Sequence, residues 1–348
     1  NGTDWDTVLH DGVYESTPSM MATEFGGDVM TAAAGIANPG NGEELVIYVK
    51  NTIGDGTYAN NPWLQEVPDS VTKVTWDNYL VVGPAMAEAK GWKQEDVVTL
   101  DANGYKINVP IVVQPGTKTG VMALALGFGR EDKTMKSGKI GQNAFPFLTL
   151  ANGTFNNVIA GATVATTGKT YAIAQSQVHH HINPVKRSVV RQATLDQYKE
   201  SPYAGYHKYN ESGDIIVSGE KEWKRIKATK DQNLYPEISM PGHHWGMSID
   251  LNSCIGCSSC VVSCNAENNI PVVGKHEVKR RHDMHWIRID RYYSSQDTIQ
   301  GDVEAKDSTR GFSEYKSTSA ELEIASANPQ VVFQPVMCMH CNHAPCET

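Results

Sequence analysis

The 348-residue chain is long enough for two or three domains with their own cores, and 40% apolar with 20% charged residues is the composition of a folded protein, not a disordered one. Its 39 acidic and 30 basic residues leave a formal charge of −9, which argues against nucleic acid as a partner, because phosphate binding needs clustered cations. The best apolar run, residues 121–128, falls far short of the roughly 18 residues a membrane helix requires, so the chain is expected not to cross a bilayer.

The opening Asn1-Gly-Thr-Asp has no initiator Met and no charged and apolar leader, so the sequence is expected to be a piece of a longer chain. Residues 45–49 give the first predicted strand, followed by the Gly54-Asp-Gly56 turn, and residues 1–70 read as the end of an α/β unit begun upstream. Residues 71–166 are strand-rich: apolar runs at 79–82, 97–100, 107–113 and 121–126 are separated by Gly, Pro and Asn turns, which predicts a compact β-barrel. One helix is predicted over 84–90, with Pro84 in its first turn and Gly91 just past its end.

Residues 167–242 are polar and mixed in charge, with His179-His180-His181 and a Tyr-rich stretch at 198–209, the features of a linker with short helical pieces. Over 243–348 short strands are predicted at 245–250 and 286–291 around two cysteine groups, and the charged, Ser/Thr-rich stretch 294–329 reads as a surface insertion. The predicted class is therefore α+β and β-rich.

The chemistry lies in the cysteines. Four of the seven form Cys254-x2-Cys257-x2-Cys260-x3-Cys264, and the other three form Cys338-x2-Cys341-x4-Cys346. An iron–sulfur cluster needs several thiolates around one inorganic core, and a C-x2-C-x2-C loop supplies three from a few residues; a fourth cysteine after three more residues ligates the other cluster in two-cluster arrangements. Zinc is the competing reading, but its sites usually show two separated C-x2-C pairs. Paired disulfides would leave one of the seven cysteines over.

Other residues carry weaker signals. Adjacent His179, His180 and His181 diverge on either helix or strand and cannot easily share one ion. His340 and His343 sit between cysteines, where they either donate to cluster sulfurs or belong to an exposed loop. Lys279, Arg280, Arg281, Arg288 and Arg291 read first as salt-bridged surface and second as a docking patch for an acidic partner. Gly127 and Gly129 have the flexibility to approach a dinucleotide but need no ligand to explain them. No G-x-S-x-G, H-E-x-x-H or P-loop is present, and no G-x-G-x-x-G follows a strand.

The stretch Trp245-Gly-Met-Ser-Ile-Asp-Leu-Asn-Ser-Cys254 through Cys264-Asn-Ala-Glu-Asn-Asn-Ile-Pro271 resembles the four-cluster electron-transfer subunit of the complex iron–sulfur molybdoenzyme family, as does Pro335-Val-Met-Cys338-Met-His-Cys341-Asn-His-Ala-Pro345-Cys346. Gly274-Lys275 and Met284-His-Trp-Ile-Arg-Ile-Asp-Arg-Tyr292 look most like the large iron–sulfur subunit of alternative complex III, a bacterial quinol oxidoreductase. Upstream, Asn61-Pro-Trp-Leu-Gln-Glu-Val-Pro68 and Thr75-Trp-Asp-Asn78 resemble the end of a molybdopterin oxidoreductase subunit. Residues 85–129 are similar to the dinucleotide-binding domain that closes such enzymes, usually a double-psi β-barrel.

The resemblance implies a double-psi β-barrel-like domain followed by part of a ferredoxin-like multi-cluster domain. It implies 4Fe-4S clusters, with one 3Fe-4S cluster in the full subunit, and a barrel without molybdopterin. Cys254, Cys257 and Cys260 would hold one cluster, and Cys264 would serve another anchored by a later cysteine set. Cys338, Cys341 and Cys346 would pair with a third set beyond Thr348. The implied partners are an integral membrane quinol-binding subunit, cytochrome c subunits and the other subunits of a complex at the periplasmic face of the bacterial inner membrane. Two other readings stay open: a catalytic molybdopterin oxidoreductase fused to its electron-transfer subunit, and a structural scaffold with vestigial cysteines.

Overall fold

Consecutive buried residues mark strands covered on both faces. Leu80, Val81 and Val82 are all buried, as are Val109 to Val113, and these runs form the middle of a sheet. The computed structural model describes residues 4–12, 26–30, 42–131, 138–151, 153–178, 195–200, 208–209, 215–216, 241–243, 246–294, 330–339 and 341. The chain divides into two compact units, Asn1–Gly40 and Asn41–Thr348. Within the first lies helix α1 (Trp5–Asp11), ended by Gly12 in the left-handed conformation.

The second unit contains β1 (Glu44–Tyr48), helix α2 (Pro62–Glu66), β2 (Val74–Thr75), β3 (Leu80–Val82), helix α3 (Pro84–Lys90), β4 (Asp96–Ala102), β5 (Tyr105–Val113) and β6 (Val121–Ala125). These are followed by β7 (Thr149–Ala151), β8 (Thr154–Asn156), β9 (Val158–Ala160), β10 (Thr163–Thr170) and β11 (Ala174–Gln175). Seven strands form one mixed sheet in the order β10-β4-β5-β3-β6-β1-β9. Strand β3 is parallel to β5, with Leu80 opposite Ile111, and antiparallel to β6, with Leu80 opposite Leu124. Strands β1 and β6 are parallel, with Leu45 opposite Met122.

Helix α3 matches the predicted 84–90 span, and Asn103-Gly104, both at positive φ, turn β4 back into β5. The main core gathers Leu45, Ile47, Leu80, Val82, Met86, Leu100, Ile111, Met122, Leu124 and Phe147. Val74, Tyr79, Val81, Val112 and Ile173 form a second core. The two sets share strands β3 and β5 with alternating residues, so apolar groups cover both faces of the sheet centre.

The sheet is β-rich and mixed, with edges at β10 and β9. Strand β10 runs through the 166/167 boundary, and β11 pairs with β2 beyond it, so the pairing of this unit reaches Gln175. Short pieces follow: helix α4 (Leu195–Glu200) and the paired strands β12 (Lys208–Tyr209) and β13 (Ile215–Ile216). The cysteine region contributes helix α5 (Ser259–Glu267), helix α6 (Lys275–Lys279), β14 (Arg288–Ser294) and β15 (Gln330–Val336).

The strand predicted over 245–250 is not formed: 246–250 lacks ladder pairing, and Met247 and Ile249 are exposed. Alternation is not enough without a neighbouring strand to pair with. Strand β14 begins two residues later than predicted, where Arg288 meets Val336 of β15. Ser294 pairs with Gln330, so the residues flanking 295–329 lie opposite each other; the insertion itself lies outside the described residues. No helix among the described residues is long and apolar enough to cross a membrane.

Candidate functional site

The first cysteine group is shaped by a turn, two reversals and a helix. The Asp250 carboxylate accepts from Asn252 N at 2.9 Å and Ser253 Oγ at 2.8 Å, while its carbonyl accepts from Cys254 N at 2.9 Å. The Asn252 amide, followed by Ser253, holds this carboxyl below its usual range. Each two-residue gap then contains one left-handed residue, Gly256 at φ 67° and Ser258 at φ 65°. That conformation turns the chain back within a single step, and glycine adopts it without strain.

Helix α5 begins at Ser259 and carries Cys260 and Cys264 one turn apart, on one face because four residues bring side chains into line. Its N-terminus presents a partial positive charge toward the loop that precedes it, which favours thiolates and any anionic group they hold. Hydrogen bonds from Ser259, whose Oγ lies 3.2 Å from Cys257 Sγ, pull the Cys257 thiol below its ordinary value. Burial pushes the Cys264 thiol up; the Asn268 amide opposes this, and the neighbouring Cys338 and Cys260 thiols add to it.

Cys264 and Cys338, one from each group, are near enough for their charges to interact. Strand pairing draws the two groups toward each other: Val336, two residues before Cys338, lies opposite Arg288, and Gly256 faces Ile289 and Phe333 of the same two strands. Cys254, Cys257 and Cys264 are half-buried, while Cys260, Cys338 and Cys341 are exposed, and all six are free thiols. Cys346, His340, His343 and His179 to His181 lie outside the described residues.

Among the described residues, no three His, Cys, Asp or Glu side chains converge as they would around one metal ion. A cluster spreads its thiolates over separate iron atoms. The donor set fits such a group: soft, disulfide-free thiols on a reversing loop and a helix turn.

The basic stretch is largely paired. Arg280 meets Glu277 at 3.3 Å, Arg288 meets Asp290 at 2.9 Å, and Arg291 donates to the Ser70 carbonyl at 3.2 Å. Gly127 and Gly129 have packing reasons of their own. A Cβ on Gly127 would come within 2.6 Å of Gly56 N, and one on Gly129 would overlap Asn143 N, so the chain's own backbone fills the space beside both turns.

Sequence reasoning missed the seam between the cysteine region and the sheet. Asn61 caps helix α2 by accepting from Trp63 N at 3.0 Å and Leu64 N at 3.3 Å, with Pro62 in the first turn. This short helix presents Trp63 and Glu66 to residues that follow α5. Trp63 Nε1 donates to Ile270 O at 2.9 Å, and the Glu66 carboxylate accepts from Val273 N and Gly274 N. Lys275 pairs with Asp77 and Tyr171, Lys73 donates to the Ile289 carbonyl, and Gln114 Nε2 donates to Tyr293 Oη at 2.7 Å.

The chain is 24% identical over 125 residues to Hdr-like menaquinol oxidoreductase iron-sulfur subunit 1 of Archaeoglobus fulgidus, a match covering 32% of the chain and 35% of that protein. It is 65% identical over 26 residues to the iron-sulfur cluster-binding subunit of menaquinone reductase from Nitratidesulfovibrio vulgaris, covering 8% and 10%. The chain is similar to iron–sulfur subunits. A third match, 46% over 46 residues, is to one subunit of the tetrathionate reductase of Salmonella typhimurium, covering 12% of the chain and 18% of that protein. The matches span about a third or less of each of these relatives. No family model matches the chain.

Proposed function

We propose that the chain is an electron-transfer iron–sulfur subunit of a membrane-associated quinol oxidoreductase, relaying electrons between quinol and an acceptor such as cytochrome c. The observation that carries this reading is the cysteine loop, in which left-handed Gly256 and Ser258 turn the chain between Cys254, Cys257 and Cys260 at the start of α5. The similarity to iron–sulfur subunits of a menaquinol oxidoreductase and a menaquinone reductase supports a quinol/quinone couple as the redox partner.

Cys254, Cys257 and Cys260 would hold one cluster, with Cys264, Cys338, Cys341 and Cys346 serving others. Such clusters, of 4Fe-4S type with one of 3Fe-4S type in the full subunit, supply one-electron transfer. The polypeptide binds them by thiolate, favours their negative charge with the α5 N-terminus, and fixes the loop through Asp250. In this reading the sheet unit, which reaches Gln175, forms a double-psi β-barrel-like platform, residues 243–348 begin a ferredoxin-like domain, and the linker lies between Gln175 and residue 243.

The same reading places the subunit at the periplasmic face of the inner membrane, against an integral membrane quinol-binding subunit and cytochrome c subunits. It takes the barrel to hold no molybdopterin. The test is the complex purified anaerobically, with Cys254→Ser beside the parent. Loss of one reduced-cluster EPR signal together with quinol oxidation supports the proposal. Unchanged quinol oxidation supports the vestigial scaffold instead, and a molar equivalent of molybdenum supports the catalytic reading.

A further inference from the structure

Glu66 closes helix α2 with only 3% of its surface exposed. A carboxylate so buried is costly unless donors meet its oxygens. Val273 N reaches Oε1 at 2.9 Å, Gly274 N reaches Oε2 at 2.7 Å, and the Trp76 indole N–H reaches Oε2 at 3.2 Å. Two of these three donors belong to the chain that leaves the cysteine helix. Hydrogen bonds to an ionised acceptor are roughly twice as strong as neutral ones, so this carboxylate is a firm anchor for a segment without regular structure.

The backbone of Glu66 holds the cysteine helix from another side. Its carbonyl lies 3.3 Å from His285 Nε2, and His285 Nδ1 lies 2.9 Å from Asn265 Nδ2. A carbonyl only accepts, so Nε2 carries the hydrogen, and in the neutral ring Nδ1 is free to accept from the Asn265 amide. Asn265 is 2% exposed and follows Cys264 directly on α5. Its Oδ1 has no hydrogen-bond partner among the described residues, so the amide is held through Nδ2 alone.

We infer that Glu66 is a positioning residue for the cysteine-bearing segment, registering α5 and the loop after it against the β-sheet unit through its carboxylate and through His285 and Asn265. The inference rests on the reading of Cys254, Cys257, Cys260 and Cys264 as cluster ligands. Trp63, which grips Ile270 from the same helix turn, acts in the same sense. Replacing the carboxylate by a carboxamide keeps one acceptor oxygen and sets an NH2 group against the other amide, so either Val273 N–H or Gly274 N–H loses its acceptor in a half-buried place, where an unmet donor is costly.

The test compares the anaerobically purified complex carrying Glu66→Gln with the parent and with Glu88→Gln, a control on the exposed face of α3. Iron content, the EPR spectrum of the reduced clusters and amide hydrogen exchange over 271–275 are measured together. Glu66→Gln is expected to keep its iron, to broaden or shift one cluster signal, and to speed exchange at least tenfold at whichever of Val273 and Gly274 faces the new NH2 group, with the control unchanged. Superimposable spectra and unchanged exchange in Glu66→Gln overturn the inference. If that variant does not accumulate, Trp63→Phe and His285→Phe carry the test, since each removes hydrogen bonding while keeping a ring, and parental spectra in both overturn it. A parent complex without iron defeats the cluster reading instead, and the exchange comparison then still decides whether Glu66 fixes the segment.

Discussion

Trp63 donates its indole N–H to the carbonyl of Ile270 at 2.9 Å, joining positions 207 residues apart in sequence. With Glu66, Lys275 and Gln114 spanning the same seam, the sheet and the cysteine region are tied into one cooperative structure. Unfolding by urea should therefore show coincident transitions in far-UV circular dichroism and in the visible absorbance of the clusters. Leu80→Ala, at a fully buried position in the sheet centre, should move both transitions together, at a cost of about 2–5 kcal/mol. A variant that shifts only the sheet transition would show that the two regions unfold independently.

Gly129 and Gly104 both have positive φ, 78° and 75°, but only Gly129 is crowded by backbone. Gly104→Ala should cost about 1–2 kcal/mol for the left-handed conformation alone. Gly129→Ala should cost a further ~1–3 kcal/mol, because its Cβ would overlap the backbone at Asn143. Equal losses in urea titrations would contradict the close approach at Gly129.

Burial lowers the Lys73 pKa to about 8, opposed in part by Asp290 and Asp69 and reinforced by Arg291. The unfolded lysine titrates near ~10.4, so the unfolded chain binds more protons between these values and stability rises with pH across the window. The cost of the buried charge is present in full below pH ~8 and is relieved as pH approaches ~10.4. Relative to Lys73→Met, the parent should gain on the order of 3 kcal/mol between these limits. Parallel stability curves for the two proteins from pH 8 to 10.4 would contradict this assignment.

Helix α3 and strands β3 to β6 were legible because each is an apolar run bounded by Gly, Pro or Asn, and such local punctuation survives in the folded protein. Strand β10 was not legible. Its sequence, Thr163-Val-Ala-Thr-Thr-Gly-Lys-Thr170, is mostly exposed at a sheet edge and carries no buried alternation to read. The predicted strand at 245–250 failed for the opposite reason: Met247 and Ile249 alternate, yet no neighbouring strand pairs with 246–250.

The candidate cysteines were picked out by spacing alone, whereas the approach of Cys338 toward the first group comes from the pairing of β14 with β15, which spacing does not reveal. The role of Glu66 had no signal at all, because its amide donors lie more than two hundred residues away and backbone amides carry no sequence identity.

The most direct measurement is iron, acid-labile sulfide and zinc in the anaerobically purified complex, with EPR after chemical reduction, for the parent and for Cys257→Ser. Clusters require iron and sulfide together, so both are expected in the parent, with loss of one reduced-cluster signal in the variant. Zinc without iron, or a Cys257→Ser spectrum identical to that of the parent, would contradict the cluster assignment.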